Sequence, residues 1–245
     1  MKILEVKKIN KSYGKSHYNL ENTVIKDLSF DVFENDFMVI MGASGAGKTT
    51  ILNTISTIDK IDSGEIIYNG IDISKYDENK LSKLRRNDFS YVFQTPNLIE
   101  NMTLYENCII AKTNKIDKEY IDKLFEKFEL TSEKCKYPSQ VSGGELARAS
   151  VIRAMSKSPK ILFVDEPTGS LNKKQSEIVL DMIGQINKNG TTVVMVTHDI
   201  NAASYGSRVI YIEDGAIKDS VDFMPSDTRE MKYSIVNKIL NKNKW

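Results

Sequence analysis

The sequence predicts an α/β fold built on a largely parallel sheet, and three observations predict it. Residues 37–41 and 161–164 are apolar throughout, the pattern of strands covered on both faces rather than one. Segments of helical period alternate with such strands along the chain. A glycine-rich loop, residues 42–47, lies between the first of these strands and a helical segment. With 245 residues, 40% of them hydrophobic, the chain suffices for one large domain, or for a core carrying one inserted subdomain.

Taken in order, residues 3–6 form a first strand and 28–32 a second that alternates apolar and polar positions. The strand 37–41 runs directly into the glycine loop, and residues 49–55 continue as a helix. Gly64 and Gly70 bracket a short strand at 65–68, and another at 90–93 ends at Gln94. From Pro96 to Ser158 the texture becomes helical, with Tyr120, Leu124 and Phe128, and likewise Ile121 and Phe125, recurring every fourth residue. That stretch is a mainly helical insert. Strands then return at 161–164 and at the β-branched run 191–197, separated by a helix around 176–187 that closes near Gly190. Residues 208–217 read as a hairpin turned at Asp214-Gly215, and the tail from Pro225 carries Met231, Ile235 and Ile239 at helical spacing. Docking on the parent domain is the ordinary reading of that tail, and contact with a partner or a membrane surface the alternative.

Thirty-four Lys and Arg stand against 33 Asp and Glu, so a net charge of +1 offers no basic field for nucleic acid. Cys108 and Cys135 form no C-x-x-C pair, and no amino-terminal apolar stretch resembles a secretion signal, which favours a reducing, cytoplasmic setting. No apolar run approaches the ~20 residues of a membrane helix, so a membrane role would require another protein.

The chemistry-bearing residues begin with Gly42-Ala43-Ser44-Gly45-Ala46-Gly47-Lys48-Thr49, which fits the phosphate loop G-x-x-x-x-G-K-[ST]. Glycines let backbone N–H groups face a phosphate, the following helix adds its positive end, Lys48 reaches the β- and γ-phosphates, and the Thr49 hydroxyl holds Mg²⁺. Such a match arises by accident in roughly one chain of this length per hundred. The flanking strand and helix weaken the accidental reading. Asp165 and Glu166 follow the apolar strand 161–164, at the edge where open parallel sheets bind ligands. Alone, an Asp-Glu pair is more often an ordinary strand end. Downstream of a phosphate loop, Asp165 reads as a Mg²⁺ ligand and Glu166 as the carboxylate that polarises the attacking water. His198 follows the strand 191–197 and is suited to a γ-phosphate contact, although an isolated exposed His beside Asp199 is the plainer reading. Gln94 could bridge metal and water; a lone Gln is otherwise structurally neutral. His17 is assigned no role.

In their order and spacing these motifs resemble the ATP-binding subunit of an ABC transporter over residues 1 to 220. That resemblance implies a P-loop NTPase fold with an N-terminal antiparallel β subdomain and an inserted α-helical subdomain. It divides the chain into an ATPase domain (1–225, with core and β subdomain at 1–94 and 159–225, helical subdomain at 95–158) and a helical tail (226–245). It implies ATP contacts at Tyr13, Gly42, Ser44, Gly45, Gly47, Lys48, Thr49 and Thr50, with Tyr13 stacking on adenine. It also implies Mg²⁺ contacts at Thr49, Gln94 and Asp165, and catalytic roles for Glu166, His198 and Gln94. Val141-Ser142-Gly143-Gly144-Glu145 matches the family signature, whose helix is expected to begin near Glu145. In this family Ser142, Gly143 and Gly144 would meet the γ-phosphate held by a second subunit, so that two copies, or this chain and a similar one, sandwich ATP. The same resemblance implies an integral membrane permease gripped by residues 96–102, and a location on the cytoplasmic face of the membrane.

Val141 and Glu145 replace the commoner Leu and Gln, and Asn172 replaces the Asp usual in the D-loop, Gly169-Ser170-Leu171-Asn172. The lost carboxylate puts coupling between the two ATP sites in doubt. The Gly-x-Leu-Asn form, with residues 51–59 and 97–107, resembles the bacitracin-resistance and lantibiotic-immunity branch of the macrolide-exporter and lipoprotein-release superfamily. A soluble DNA- or ribosome-associated ATPase of the same family is the different-class alternative, and this chain lacks the long coiled coil or second cassette of those proteins. A scaffold without turnover is disfavoured by the presence of Lys48, Asp165, Glu166 and His198 together.

Overall fold

The computed structural model describes residues 1–14, 22–111 and 117–242, so His17 lies outside the described residues. They form two compact units, Met1–Leu81 with Thr192–Trp245, and Ser82–Thr191.

In the first unit, β1 (Lys2–Tyr13), β2 (Asn22–Phe33), β4 (Ser63–Tyr68) and β5 (Ile71–Asp72) make an antiparallel sheet ordered β2-β1-β4-β5. Strand β1 runs well past Val6 because a bulge rescues its alternation. Val6 and Ile9 are both buried although two lysines separate them, the register against β2 shifts between those two residues, and Lys8 takes a φ of 47°. The second sheet of this unit centres on β3 (Phe37–Gly42), all six residues of which are buried. It pairs in parallel with β8 (Thr192–Thr197) on one side and β9 (Arg208–Glu213) on the other. β10 (Ala216–Asp222) returns antiparallel from β9 through Asp214 (φ 50°) and Gly215 (φ 77°), the two-residue turn whose positive φ angles suit Asp-Gly. Helix α1 (Lys48–Ile55) follows β3.

Helix α2 (Glu78–Asn87) spans the boundary between the units in sequence. It buries only Leu81, which is why no apolar period announces it. The second unit contains the parallel pair β6 (Phe89–Val92) and β7 (Ile161–Asp165), with Phe89 set edge-on to Phe163 at 5.2 Å between ring centroids. Its helices are α3 (Leu104–Ile110), α4 (Lys118–Lys127), α5 (Gly143–Met155) and α6 (Lys173–Lys188). Each starts at a polar residue, Thr103, Asp117, Ser142 or Asn172, whose side chain accepts a backbone N–H of the first turn. α4 buries Ile121, Leu124 and Phe125, as its period requires. After α6, Gly190 takes a φ of 98° two residues past the helix end.

Two cations from the α5 region are held by main-chain carbonyls. Arg153 Nη1 donates to Asn97 O (2.6 Å) and Nη2 to Pro96 O (3.1 Å). Lys157 Nζ donates to Arg85 O (2.8 Å) and Phe89 O (2.9 Å).

In the first unit, α7 (Ile200–Ala203) and α8 (Arg229–Lys242) complete the chain. The tail docks on its parent unit, but not through the expected face. Val236 is the buried residue of α8, whereas Met231 is 51% exposed. Lys232, one position on, turns inward and donates to Gly206 O at 2.8 Å, which rotates the seam away from Met231. No helix among the described residues is long and apolar enough to cross a membrane.

Burial lowers the pKa of Lys157 from 10.5 to about 8, and nearby Arg153 adds to the effect. Between those two values the unfolded chain binds the proton that the folded one has released, so stability rises with pH there. Denaturant titrations of wild type and Lys157→Met at several pH values should show wild type gaining on the variant as pH rises from 8 towards 10.5. A constant difference would show that the lysine is not held in this way.

Candidate ATP site

Register places the reactive residues. In the first unit Met41 pairs with Thr197, so β3 and β8 release the chain at the same edge of their sheet. The glycine loop leaves from one and His198, exposed, from the other. Gly47 is the N-cap of α1 at a φ of 92°, where a Cβ would stand 2.9 Å from Val24 Cγ1 and 3.0 Å from Val24 O. Only glycine fits there. The first turn of α1 carries no acidic residue and no side-chain cap, so the positive end of the helix is left for an anion. Lys48 is 6% exposed and its Nζ donates to Gly42 O (2.9 Å) and Ala43 O (3.0 Å), which sets a buried ammonium over its own loop. Gly42 is itself buried, Ser44, Gly45 and Thr49 are exposed, and Thr50 is half-buried.

Tyr13 belongs to the same cluster. Its hydroxyl donates to Asp59 Oδ2 (2.7 Å) and hydrogen-bonds the Thr50 side chain, while Lys11 Nζ lies 5.0 Å from the ring centre and 3.0 Å from Asp59 Oδ1. Burial, and then the bond to Asp59, raise the phenol pKa, and 44% of the residue is exposed.

In the second unit Val92 pairs with Val164, so Gln94 and Asp165 also leave from one edge. Asp165 is 5% exposed and accepts the Tyr91 hydroxyl at 3.4 Å; burial, and then this carboxylate, push the Tyr91 pKa upward. Glu166 takes a φ of 40°, a left-handed conformation that costs a non-glycine residue about 1–3 kcal/mol. Strain of this kind collects at functional sites. The turn after it is closed by Gly169 N donating to Glu166 O at 3.2 Å. A Cβ on Gly169 would lie 3.4 Å from Gln94 Nε2 and 4.0 Å from Glu166 Oε2, so the carboxamide and the carboxylate flank one small space.

The helix α5 begins at Gly143, two residues before the position expected from sequence, because Ser142 and Glu145 form a capping box. Ser142 N donates to Glu145 Oε2 (2.7 Å), the Ser142 hydroxyl donates to the same oxygen (2.8 Å), and Glu145 N donates to Ser142 Oγ (3.4 Å). Ser142 and Gly143 are exposed, and Gly144 is buried against Gln175. Asn172 caps α6, its Oδ1 accepting Gln175 N at 3.0 Å, so the amide that replaces the usual carboxylate still performs the cap. Asp59, Tyr91 and Gln175 are participants that motif reading missed. Gln175 alone had a local signal, its position three residues after a polar cap.

The ABC transporter family model matches residues 25–169, a span that includes the glycine loop, Gln94, the capped turn at Ser142 and the Asp165-Glu166 pair. The chain belongs to the ABC transporter family. As an ABC ATPase it binds ATP and couples its hydrolysis to transport. It is 41% identical over 223 residues to the bacitracin export ATP-binding protein BceA of Halalkalibacterium halodurans, covering 89% of this chain and 87% of that one. It is 34% identical over 250 residues to the macrolide export ATP-binding/permease protein MacB of Neisseria meningitidis, of which this ABC ATPase spans 38%. Among solved structures, the ATP-binding cassette MJ0796, a dimer in a post-hydrolysis state bound to ADP and Pi, superposes with a TM-score of 0.83 at 31% identity, covering 91% of this chain and 99% of that one.

The Ser142 cap carries a pH dependence. The backbone N–H and the hydroxyl of Ser142 hold the Glu145 carboxyl below its ordinary 4.5, so the cap is fully present above that value and is lost as pH falls through the depressed one. Glu145→Ala should destabilise the protein by roughly 0.5–1 kcal/mol near neutral pH. Unfolding curves recorded from neutral to acid should show that difference shrinking below pH 4.5; a difference independent of pH would remove the ionised cap.

Proposed function

We propose that this ABC ATPase binds MgATP between two copies of itself and drives a separate integral membrane permease acting on antimicrobial peptides at the cell envelope. It would work peripherally, on the cytoplasmic face of the membrane. The observation that carries the reading is the 41% identity to a bacitracin export ATP-binding protein along 89% of this chain. The functional bodies are an ATPase domain at 1–225 with its helical subdomain at 95–158, and the tail at 226–245.

On the first unit, the exposed face of Tyr13 stacks on adenine, and Gly42, Ser44, Gly45, Gly47 and Thr50 line the phosphate loop. Lys48, a buried ammonium already satisfied by two carbonyls, neutralises the β- and γ-phosphates. The loop fits that cargo: a left-handed Gly47, a helix start without acid, and a cation close by. His198 contacts the γ-phosphate. Mg²⁺ is a hard cation that takes oxygen donors, and the Thr49 hydroxyl, the Asp165 carboxylate and the Gln94 carboxamide are donors of that kind. When bound, it neutralises charge on the phosphates.

On the second unit, Glu166 orients and polarises the attacking water, its carboxylate aimed by a strained backbone and accompanied by Gln94. Ser142, Gly143 and Gly144 of one copy present the start of α5 to the γ-phosphate held by the other. ATP thereby closes the pair, and its hydrolysis removes the charge that α5 was holding. Residues 96–102, where Ile99 is 40% exposed, grip the permease.

The second reading, a macrolide-type exporter, is favoured by the 34% identity to a protein whose name joins ATP-binding and permease functions in one chain. ATPase assays of the permease complex in vesicles decide between them. Stimulation by bacitracin or a lantibiotic and not by a macrolide is expected, and the reverse response would establish the second reading.

Two site variants test the roles. Glu166→Gln should retain ATP, lose turnover by roughly 10²–10⁴-fold, and stay dimeric by light scattering under MgATP; unchanged phosphate release would remove Glu166 from the mechanism. Tyr13→Ala should weaken binding of a fluorescent ATP analogue by about two- to tenfold and Tyr13→Phe much less, since the ring and not the hydroxyl makes the stack.

A further inference from the structure

Within the second unit, one side chain links the D-loop to the start of α5. Gln175 N donates to Asn172 Oδ1 at 3.0 Å, so the first turn of α6 is tied to the last residue of the Gly169–Asn172 turn. The side chain of Gln175 reaches the other way. Its carboxamide lies so close over Gly144 that even a methyl group on that glycine would collide with it. Its Oε1 accepts Arg148 Nη1 from the next turn of α5, at 3.2 Å. The Arg148 Nε is buried without a hydrogen-bond partner, so the guanidinium depends heavily on the Gln175 bond for its position.

We propose that Gln175 is a positioning residue that couples Asn172 to the Ser142-Gly143-Gly144 turn of the same chain. A shift of the D-loop draws Gln175 with it through the cap, and its carboxamide, packed over Gly144 and bonded to Arg148, carries that shift to the start of α5. Gly144 must lack a side chain for this contact to exist. The inference rests on the reading that this turn faces the γ-phosphate held by a partner subunit. Given that reading, the D-loop of a chain and the phosphate contact made by that same chain are set together, and the two ATP sites of a dimer become dependent on each other although Asn172 lacks the carboxylate usual at its position.

ATPase kinetics of the full chain test this. Gln175→Ala removes the carboxamide from both contacts and should raise KM for ATP by roughly fivefold or more and bring the Hill coefficient towards one, with kcat less affected. Gln175→Glu keeps the length and the acceptor for Arg148 and should restore both parameters, whereas a loss of folded protein alone would lower kcat and leave KM and the Hill coefficient unchanged. Should the alanine variant fail to fold, Gln175→Asn, which withdraws the carboxamide by one methylene, should show the same KM and Hill changes. Ser142→Arg, on an exposed position, reports on the underlying reading. If it abolishes cooperative turnover while the Gln175 variants match wild type in KM and Hill coefficient, the coupling role is refuted and the phosphate contact stands. If Ser142→Arg turns over like wild type, the phosphate contact itself fails, and the coupling with it.

Discussion

Two pairings in parallel sheets, Met41 with Thr197 and Val92 with Val164, are the constraint on which the rest depends. Each strand involved is almost wholly buried on both faces, so a slip of one residue would set every side chain against neighbours of the wrong size and shape in a close-packed core. Register is therefore fixed by the core, and whatever follows each strand is delivered to a defined place. In the first unit those residues are the glycine loop and His198; in the second they are Gln94 and the Asp165-Glu166 pair. Core packing thus sets the positions of groups that are themselves polar and partly exposed.

The same logic explains what was legible in the sequence. Strands β3, β7 and β8 and the periodic face of α4 announce themselves because burial is total or strictly periodic, and the glycine loop because its spacing has a single physical use. Legibility fails where tertiary context overrides local pattern. Strand β1 looked short because its bulge interrupts the alternation, α2 was unseen because it buries one residue, and the seam of α8 turned when Lys232 found a carbonyl at Gly206. At the candidate site, motif reading named charged residues but not the groups that hydrogen-bond to them. Asp59 lies 46 residues from Tyr13 and Tyr91 lies 74 from Asp165, separations that no local period encodes.

Glu145 and Asn172, which depart from the commoner family pattern, are locally well chosen. Each takes part in a helix cap, one as the carboxylate of a capping box and the other as the cap itself. Helix stability constrains these positions alongside any contact with nucleotide, and an amide caps as well as a carboxylate does. The left-handed Glu166 is the opposite case, a residue whose backbone works against local preference and is held by the turn that closes on Gly169.

The carbonyl-bound cations near the end of α5 have a mechanical consequence. Arg153 and Lys157 meet no carboxylate in these bonds; their partners are the main chain at residues 85, 89, 96 and 97. A sliding motion that parted them would strand a desolvated positive charge, which is far more costly than bending an exposed loop. The cheap deformation is therefore one in which the rod-like helix and the stretch after Gln94 travel as a single lever, its two ends moving in proportion.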